Sequence, residues 1–462
     1  MRKSLILAVA FLCVFSAFIY AQEAADTPQA AQTTGGADSA AQTKGDGSSA
    51  GGTKGSPFGL GALIGAATFD GDTFTQIVLS PDLDLGIFGI GLDLNLEFSS
   101  DGKIREGEWD SWQAILSKIS YLRVGHKGEK FYMRFGSLRS ASLGHGTIID
   151  RFDNTVFMPD VRLLGLQLDA DFGAVGFETF TSNIFSFDMF AGRVYVRPFS
   201  GLFRNLHVGF TYAGDFDTKN LVTSGKDKYK FSRSGDEDSK KVSILGADLG
   251  LPLPSLGILT WLLYADFAQI LDQGNGFAAG LTGEVAFILN WKLEFTRNSA
   301  NYISSYFDSL YLIQRDTKFQ SLADITDPYS GWLFRVWQDF SIIGKNDLTV
   351  SLQIRDSFQD DLKPILSFDL HLDRKLLFDR VEIDLNYTKA NIEKFGNIFQ
   401  IEGLDTFVTL SFGYMIAENV MIAIIYTKTF IENEAYDPTD STSKESPYKG
   451  QDAIMVQTQL KF

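Results

Sequence analysis

Cysteine is almost missing from this 462-residue chain: Cys13 is the only one. It sits inside an N-terminal stretch with the marks of a removable leader, so disulfides and cysteine-based metal sites are excluded from the mature protein. Histidine is nearly as scarce. His126, His145, His207 and His371 are the 4 present, and none stands at metal-ligand spacing from another. Positive charge is also short, with 41 Lys and Arg against 57 Asp and Glu and a net charge of −16. Nothing in such a chain could neutralise a run of phosphates, which argues against nucleic acid as a partner. Beyond the N-terminal run, no stretch reaches about 18 consecutive apolar residues, so no spanning helix is expected. Enzymatic signals are weak as well. The glycines Gly59, Gly61 and Gly65 lack both the spacing and the βαβ context of a dinucleotide loop, and suit the curvature of a first strand better. His371 stands between Asp369 and Asp373, an arrangement expected more often of a side chain held by its neighbours than of a catalytic one. No catalytic residue, metal or cofactor is expected.

What is present begins with an export signal. Arg2 and Lys3 precede an unbroken apolar run from Leu5 to Phe15, and short residues follow near Ala21. This is the order of a secretory leader, with cleavage expected between Ala21 and Gln22. Ala10-Phe11-Leu12 before Cys13 makes a poor lipoprotein signal, so a lipid anchor is not expected. Residues 22–56 are Ala, Gly, Thr, Ser, Gln and Asp with almost nothing to bury, and a flexible periplasmic tail is expected there.

From residue 57 to the end the character changes. Segments of about ten residues alternate apolar and polar, punctuated by Gly, Asn, Asp and Pro. In 90–98, Ile90, Leu92, Leu94, Leu96 and Phe98 oppose Asp93, Asn95 and Glu97. In 287–295, Phe287, Leu289, Trp291, Leu293 and Phe295 oppose Asn290, Lys292 and Glu294. The segments 364–373 and 381–388 repeat the pattern. Period two places successive side chains on opposite faces, so each segment has one oily and one wet face.

Connection lengths form a second pattern. Long polar stretches near 100–116, 143–161, 215–240, 298–330, 390–404 and 431–450 alternate with short turns near 86–89, 126–130, 172–174, 254–257, 344–347 and 417–419. Every long stretch follows an odd-numbered strand. That asymmetry is expected of an all-β, single antiparallel transmembrane barrel over 57–462, with short periplasmic turns and long external loops. The count is about 20 strands, with 18 the near alternative. Two long connections carry aromatic residues, 108–120 and 301–314, and each reads as a short amphipathic helix. Each is expected either to pack on the rim or to fold inward and narrow the pore.

The last strand separates a membrane barrel from a soluble sandwich. Ile454, Val456, Leu460 and the terminal Phe462 share one face, with Gln457, Gln459 and Lys461 on the other. A terminal aromatic residue on an alternating strand resembles the C-terminal assembly signal of bacterial outer-membrane barrels. Over 57–462 the architecture resembles a porin-type outer-membrane barrel, and Gly136-Ser137-Leu138 with Leu143-Gly144-His145-Gly146 are similar to stretches in that broad class. The resemblance implies lipid and the barrel-assembly machinery as partners and small polar solutes as cargo. Hydrocarbon leaves no partner for an unpaired backbone group, so only helices and closed barrels cross it.

Inward acidic positions on this reading include Asp93, Glu97, Asp169, Asp171, Glu178, Asp248 and Asp266. Inward basic ones include Arg134, Arg193, Arg197, Lys292, Arg335 and Arg355, and Asp339 is a further lining candidate. Arg134, Arg139, His145, Asp150 and Arg151 flank a loop expected to form a constriction. Opposed charges in a narrow lumen filter solutes by charge and orientation, or else pair across it and stiffen the wall. A passive channel for small hydrophilic solutes is the leading expectation. The rival is a surface adhesin or antigen whose barrel anchors the loops at 215–240, 298–330 and 431–450.

Overall fold

Strands form wherever the period-two pattern runs, and they pair in chain order until the sheet meets itself. The computed structural model describes residues 58–460 apart from 70–71, 159, 200–204, 220–228, 230–238, 287–288, 341, 343–346, 360–361, 394–397, 400–404, 419 and 433–447. The expected leader, the tail and Phe462 lie outside the described residues. The first five strands are β1 (Phe58–Phe69), β2 (Asp72–Asp84), β3 (Phe88–Leu92 continuing as Leu94–Phe98), β4 (Ile119–Val124) and β5 (Phe131–Gly136). Next come β6 (Gly165–Asp171), β7 (Val175–Thr181), β8 (Met189–Val196), β9 (His207–Asp215) and β10 (Val242–Leu256). They are followed by β11 (Leu259–Ile270), β12 (Asn275–Val285), β13 (Leu289–Asn298), β14 (Tyr329–Phe340) and β15 (Leu348–Ser357). The last are β16 (Ile365–Leu372), β17 (Val381–Lys389), β18 (Thr406–Ala417), β19 (Val420–Glu432) and β20 (Tyr448–Leu460).

The result is a closed antiparallel barrel of 20 strands. Closure is made by β1 and β20, in register from Ala62 opposite Leu460 to Phe69 opposite Ala453. The sheet thus closes on itself, as a strand assembly in hydrocarbon must. The interruption of β3 falls opposite Ser80 and Pro81 of β2. Proline has no N–H to offer the ladder there. The connections keep the alternation seen in the sequence. The long ones, 99–118, 137–164, 216–241, 299–328, 390–405 and 433–447, all follow odd-numbered strands.

Apolar side chains point outward in a belt. Phe210 is 66% exposed, Val194 54% and Leu249 49%, with Leu263, Phe267, Phe277, Leu293 and Phe295 close behind. Left in water, each such side chain would forgo about 1.5–3 kcal/mol of burial. Among the described residues no helix is long and apolar enough to cross a membrane.

The interior holds a second apolar region that binary patterning does not reveal. Toward the loop-rich end, the inward faces of β7 to β11 carry Phe180, Met189, Ala191, Ala213, Val242, Ile244, Ala268 and Ile270, all buried. They pack against residues of the 137–164 and 299–328 loops, among them Leu143, Ile149, Phe152, Tyr306, Phe307 and Tyr311. Both loops therefore lie inside the barrel.

The two aromatic connections behave differently. In 99–118 a short helix, α1 (Trp112–Leu116), is capped by Ser111, whose hydroxyl accepts the Ala114 N–H at 3.1 Å. Its Trp112 is 60% exposed and meets Phe185 edge-on at 4.9 Å, so this helix sits on the rim. In 299–328 the helix α2 (Tyr311–Gln320) begins later than the sequence reading placed it. Asn301 and Ser305 hold positive φ angles of 55° and 50°, which keeps the preceding stretch irregular.

Candidate functional site

The 137–164 loop doubles back on itself inside the lumen. Ala141 and Phe152 exchange backbone hydrogen bonds of 2.8 Å, and Gly146 N–H reaches the Leu143 carbonyl at 3.1 Å. Asn154, fully buried, ties the base: its Oδ1 accepts the Leu138 N–H at 2.7 Å, and its Nδ2 donates to the Ser182 carbonyl at 3.0 Å. The tip needs Gly144, whose φ of +54° is left-handed and whose absent Cβ would lie 3.0 Å from Arg193 Nε. The 299–328 loop then zips alongside. Ser305 N–H meets Thr147 O at 2.8 Å, Phe307 N–H meets Ile148 O at 3.1 Å and Asp150 N–H meets Phe307 O at 3.1 Å.

The hairpin divides two groups of wall charges. On the β7–β11 side, Arg193 donates to both oxygens of Asp248 (2.8 and 2.6 Å) and lies 3.3 Å from Glu178. Glu178 also accepts the Gly144 N–H at 3.0 Å. His145, at the hairpin tip, places Nδ1 2.7 Å from Asp266 and Nε2 3.2 Å from His207 Nε2. Its ring stacks on Tyr264 at 4.5 Å. This side carries three carboxylates, Glu178, Asp248 and Asp266, against one guanidinium.

The β13–β15 side is basic. Lys292, on the wall, donates to the His145 carbonyl and lies 3.3 Å from Glu294. Arg335 lies over Trp337 at 4.6 Å. Arg355 donates to Ser304 O at 2.7 Å and stands 3.4 Å from Asp150. Asp150 also accepts from Gln353 at 3.0 Å. Burial pushes the Asp150 carboxyl up, but Lys292, Arg355, Arg335 and Arg151 outweigh it and hold it below its ordinary value. Arg151 pairs with Asp369 across the lumen, while its buried Nε and Nη1 have no hydrogen-bond partner among the described residues. Three residues away from Asp150, burial pushes the Asp153 carboxyl above its ordinary value.

Of the residues singled out in the sequence, His145, Asp150, Arg151, Glu178, Arg193, Arg335 and Arg355 thus meet around the hairpin. Others stand apart. Arg134 is buried on β5, donating to Ser137 O at 2.8 Å and lying over Tyr121 at 5.0 Å. Arg139 is exposed at the start of the loop. Asp169 pairs with Lys127 of a short turn at 2.5 Å, and Arg197 with Asp171 at 2.8 Å beside another short turn. Asp339 accepts from Thr349 at 2.6 Å near the end of β14. These last three line the turn end of the barrel, away from the hairpin. His371 bonds Asp384 at 2.6 Å on the neighbouring strand, while Asp369 is taken by Arg151.

Sequence reading missed the anchor of the second loop. Arg315 of α2 is buried between Asp188 (2.7 Å) and Asp215 (2.8 Å), and the Tyr311 hydroxyl also donates to Asp215 at 2.6 Å. An arginine in an amphipathic segment looks solvent-facing; only the fold shows that its partners line the wall. It also missed His207, which stands 62 positions from His145. Of the three loops considered for surface display, 299–328 is packed inside, and most of 215–240 and of 431–450 lies outside the described residues.

No protein-family model matches the chain. No curated protein matches it by sequence. Among solved structures it is similar to the outer membrane protein OprD from Pseudomonas aeruginosa, at 10% identity and a TM-score of 0.31, over 87% of this chain and 93% of that one. It is also similar to Pseudomonas aeruginosa OccK2 (OpdF) in complex with glucuronate, at 11% identity and a TM-score of 0.29, over 87% and 95%. A third is Wzi, an outer membrane protein of Escherichia coli, at 12% identity and a TM-score of 0.30, over 88% and 84%.

Proposed function

We propose that the chain is an outer-membrane channel through which small hydrophilic solutes diffuse passively, narrowed by the inward hairpin 141–152. The observation that carries this reading is the hairpin's position between an acidic and a basic wall. On one side stand Glu178, Asp248 and Asp266; on the other stand Lys292, Arg335, Arg355 and the loop's own Arg151. Separated charges in a low-dielectric lumen produce a transverse field that orients dipolar solutes and retards apolar ones. A barrel of this strand number is also too wide for its wall side chains alone to fill. The partly unpaired guanidinium of Arg151 offers a passing polar group a hydrogen bond.

The outward apolar belt and the closure of the sheet on itself support a barrel that sits in lipid. Purified protein in planar bilayers should give stepwise conductance, and deletion of residues 141–152 should enlarge each step. A barrel that never conducts in any lipid, with or without the hairpin, would sink the proposal.

A further inference from the structure

We infer that His145, His207 and Asp248 form a divalent transition-metal site that ties the hairpin tip to the barrel wall. This inference goes beyond conduction and does not depend on it. One ligand atom from each residue can be chosen so that all lie within 4.8 Å of one another. The two imidazole Nε2 atoms are 3.2 Å apart. Two nitrogens bound tetrahedrally at about 2.0–2.1 Å would be separated by roughly 3.3–3.4 Å, so the pair already spans a coordination edge.

The surroundings have the form of a second ligand layer. Asp266 lies 2.7 Å from His145 Nδ1, and a proton held there leaves the Nε2 lone pair free to bind a metal. Arg193 fixes the Asp248 carboxylate through both oxygens, yet a carboxylate has about four acceptor sites, so two remain. Charge points the same way. The buried carboxylates Asp248 and Asp266 and the half-buried Glu178 outnumber the cations beside them, Arg193 and Lys292, so a divalent ion would enter an acidic surrounding. Only glycine lets the two rings meet here: a Cβ at Gly250 would lie 2.2 Å from His207 Nε2 and 2.9 Å from His145 Nε2. A cavity of about 20 Å³ beside His145, Asp248 and Asp266 has space for one water next to two of the three ligands. Imidazole with a single carboxylate favours zinc, nickel or copper over calcium or magnesium.

The alternative is a proton shared between the two imidazoles with no metal. The test is titration of the full-length, untagged barrel, refolded in detergent, with zinc chloride by calorimetry, followed by cobalt substitution and visible spectroscopy. One ion per barrel is expected, with a tetrahedral cobalt spectrum and no competition from magnesium. His207→Gln and His145→Gln should each weaken binding at least tenfold. Asp266→Asn should weaken it about 10- to 100-fold, and His126→Gln, at a short turn, should leave it unchanged. Folding of each variant is read from faster gel migration before boiling. A folded wild-type barrel that binds no zinc at 1:1, or binds it equally well in the double variant H145Q/H207Q, overturns the inference and leaves the shared proton.

Discussion

The docking of the second loop rests on one buried cation, and removing it should release that loop. Arg315 is 4% exposed and its two partners, Asp188 and Asp215, are 3% and 0% exposed at their side chains. Arg315→Met would keep most of the packing volume but strand two carboxylates. Breaking a buried pair in this way costs about 3–5 kcal/mol, because the remaining charge stays buried without its counter-charge. At about 1.4 kcal/mol per factor of ten, the population of undocked loop should rise roughly 10²- to 10⁴-fold. Trypsin cleavage after Lys318 reports that population directly, since Lys318 is buried in α2 and paired with Asp308 at 2.5 Å. Cleavage follows the open population when opening is fast relative to the protease. The triple variant R315M/D188N/D215N removes the stranded charges while keeping their acceptor oxygens, and should recover most of the protection. If Arg315→Met leaves cleavage unchanged in a barrel that still migrates as folded, the anchoring argument is wrong.

Two further outcomes follow from the charges at the hairpin. Asp150→Asn removes the carboxylate that faces Arg355, so reversal potentials in a salt gradient should move toward anion selectivity; Arg355→Gln should move them the opposite way. The pH dependence has a definite sign. The folded Asp150 carboxyl lies below its ordinary 3.8, so its contribution to hairpin docking is present above that value and is lost as pH falls through the lower folded value. Asp153, raised by burial, acts oppositely: it weakens docking while charged and stops doing so as it protonates. In an Asp153→Asn background, the channel noise that grows as pH falls below the ordinary 3.8 of Asp150 should therefore be absent once Asp150→Asn is added. Low-pH noise that grows equally with and without Asp150 would contradict the assignment.

The strand number, the alternation of loop lengths and the oily outer face were legible because each depends on local pattern. Leu293 and Phe295 outward with Lys292 and Glu294 inward is a statement about adjacent residues, and period two settles it. The same rule fails on β10, where Val242 and Ile244 point inward to an apolar plug and Leu245 outward to the oily belt. Both faces are apolar there, and no alternation marks the difference. The hairpin as a candidate constriction was visible from the charges crowded into 134–151. Its partners were not. Arg151 meets Asp369 across 218 positions, and His145 meets Asp266 across 121. Contacts of that span arise only once the sheet has closed, and no spacing rule encodes them. Arg315 was hidden for a related reason: its two aspartates sit at the loop ends of β8 and β9, where a polar residue reads as solvated.

The measurement that tests the account most directly is nitroxide scanning along β10 in a reconstituted bilayer. Cys13, in the expected leader, is the only native cysteine, so single cysteines can be introduced into the mature chain without a competing thiol. Labels at Leu245, Ala247 and Leu249 should be open to dissolved oxygen and shielded from a water-soluble nickel chelate, while labels at Gly246 and Asp248 should show neither lipid exposure nor high mobility. Chelate access at the leucine positions, or immobilisation there by a second protein layer, would show that the apolar belt does not face lipid.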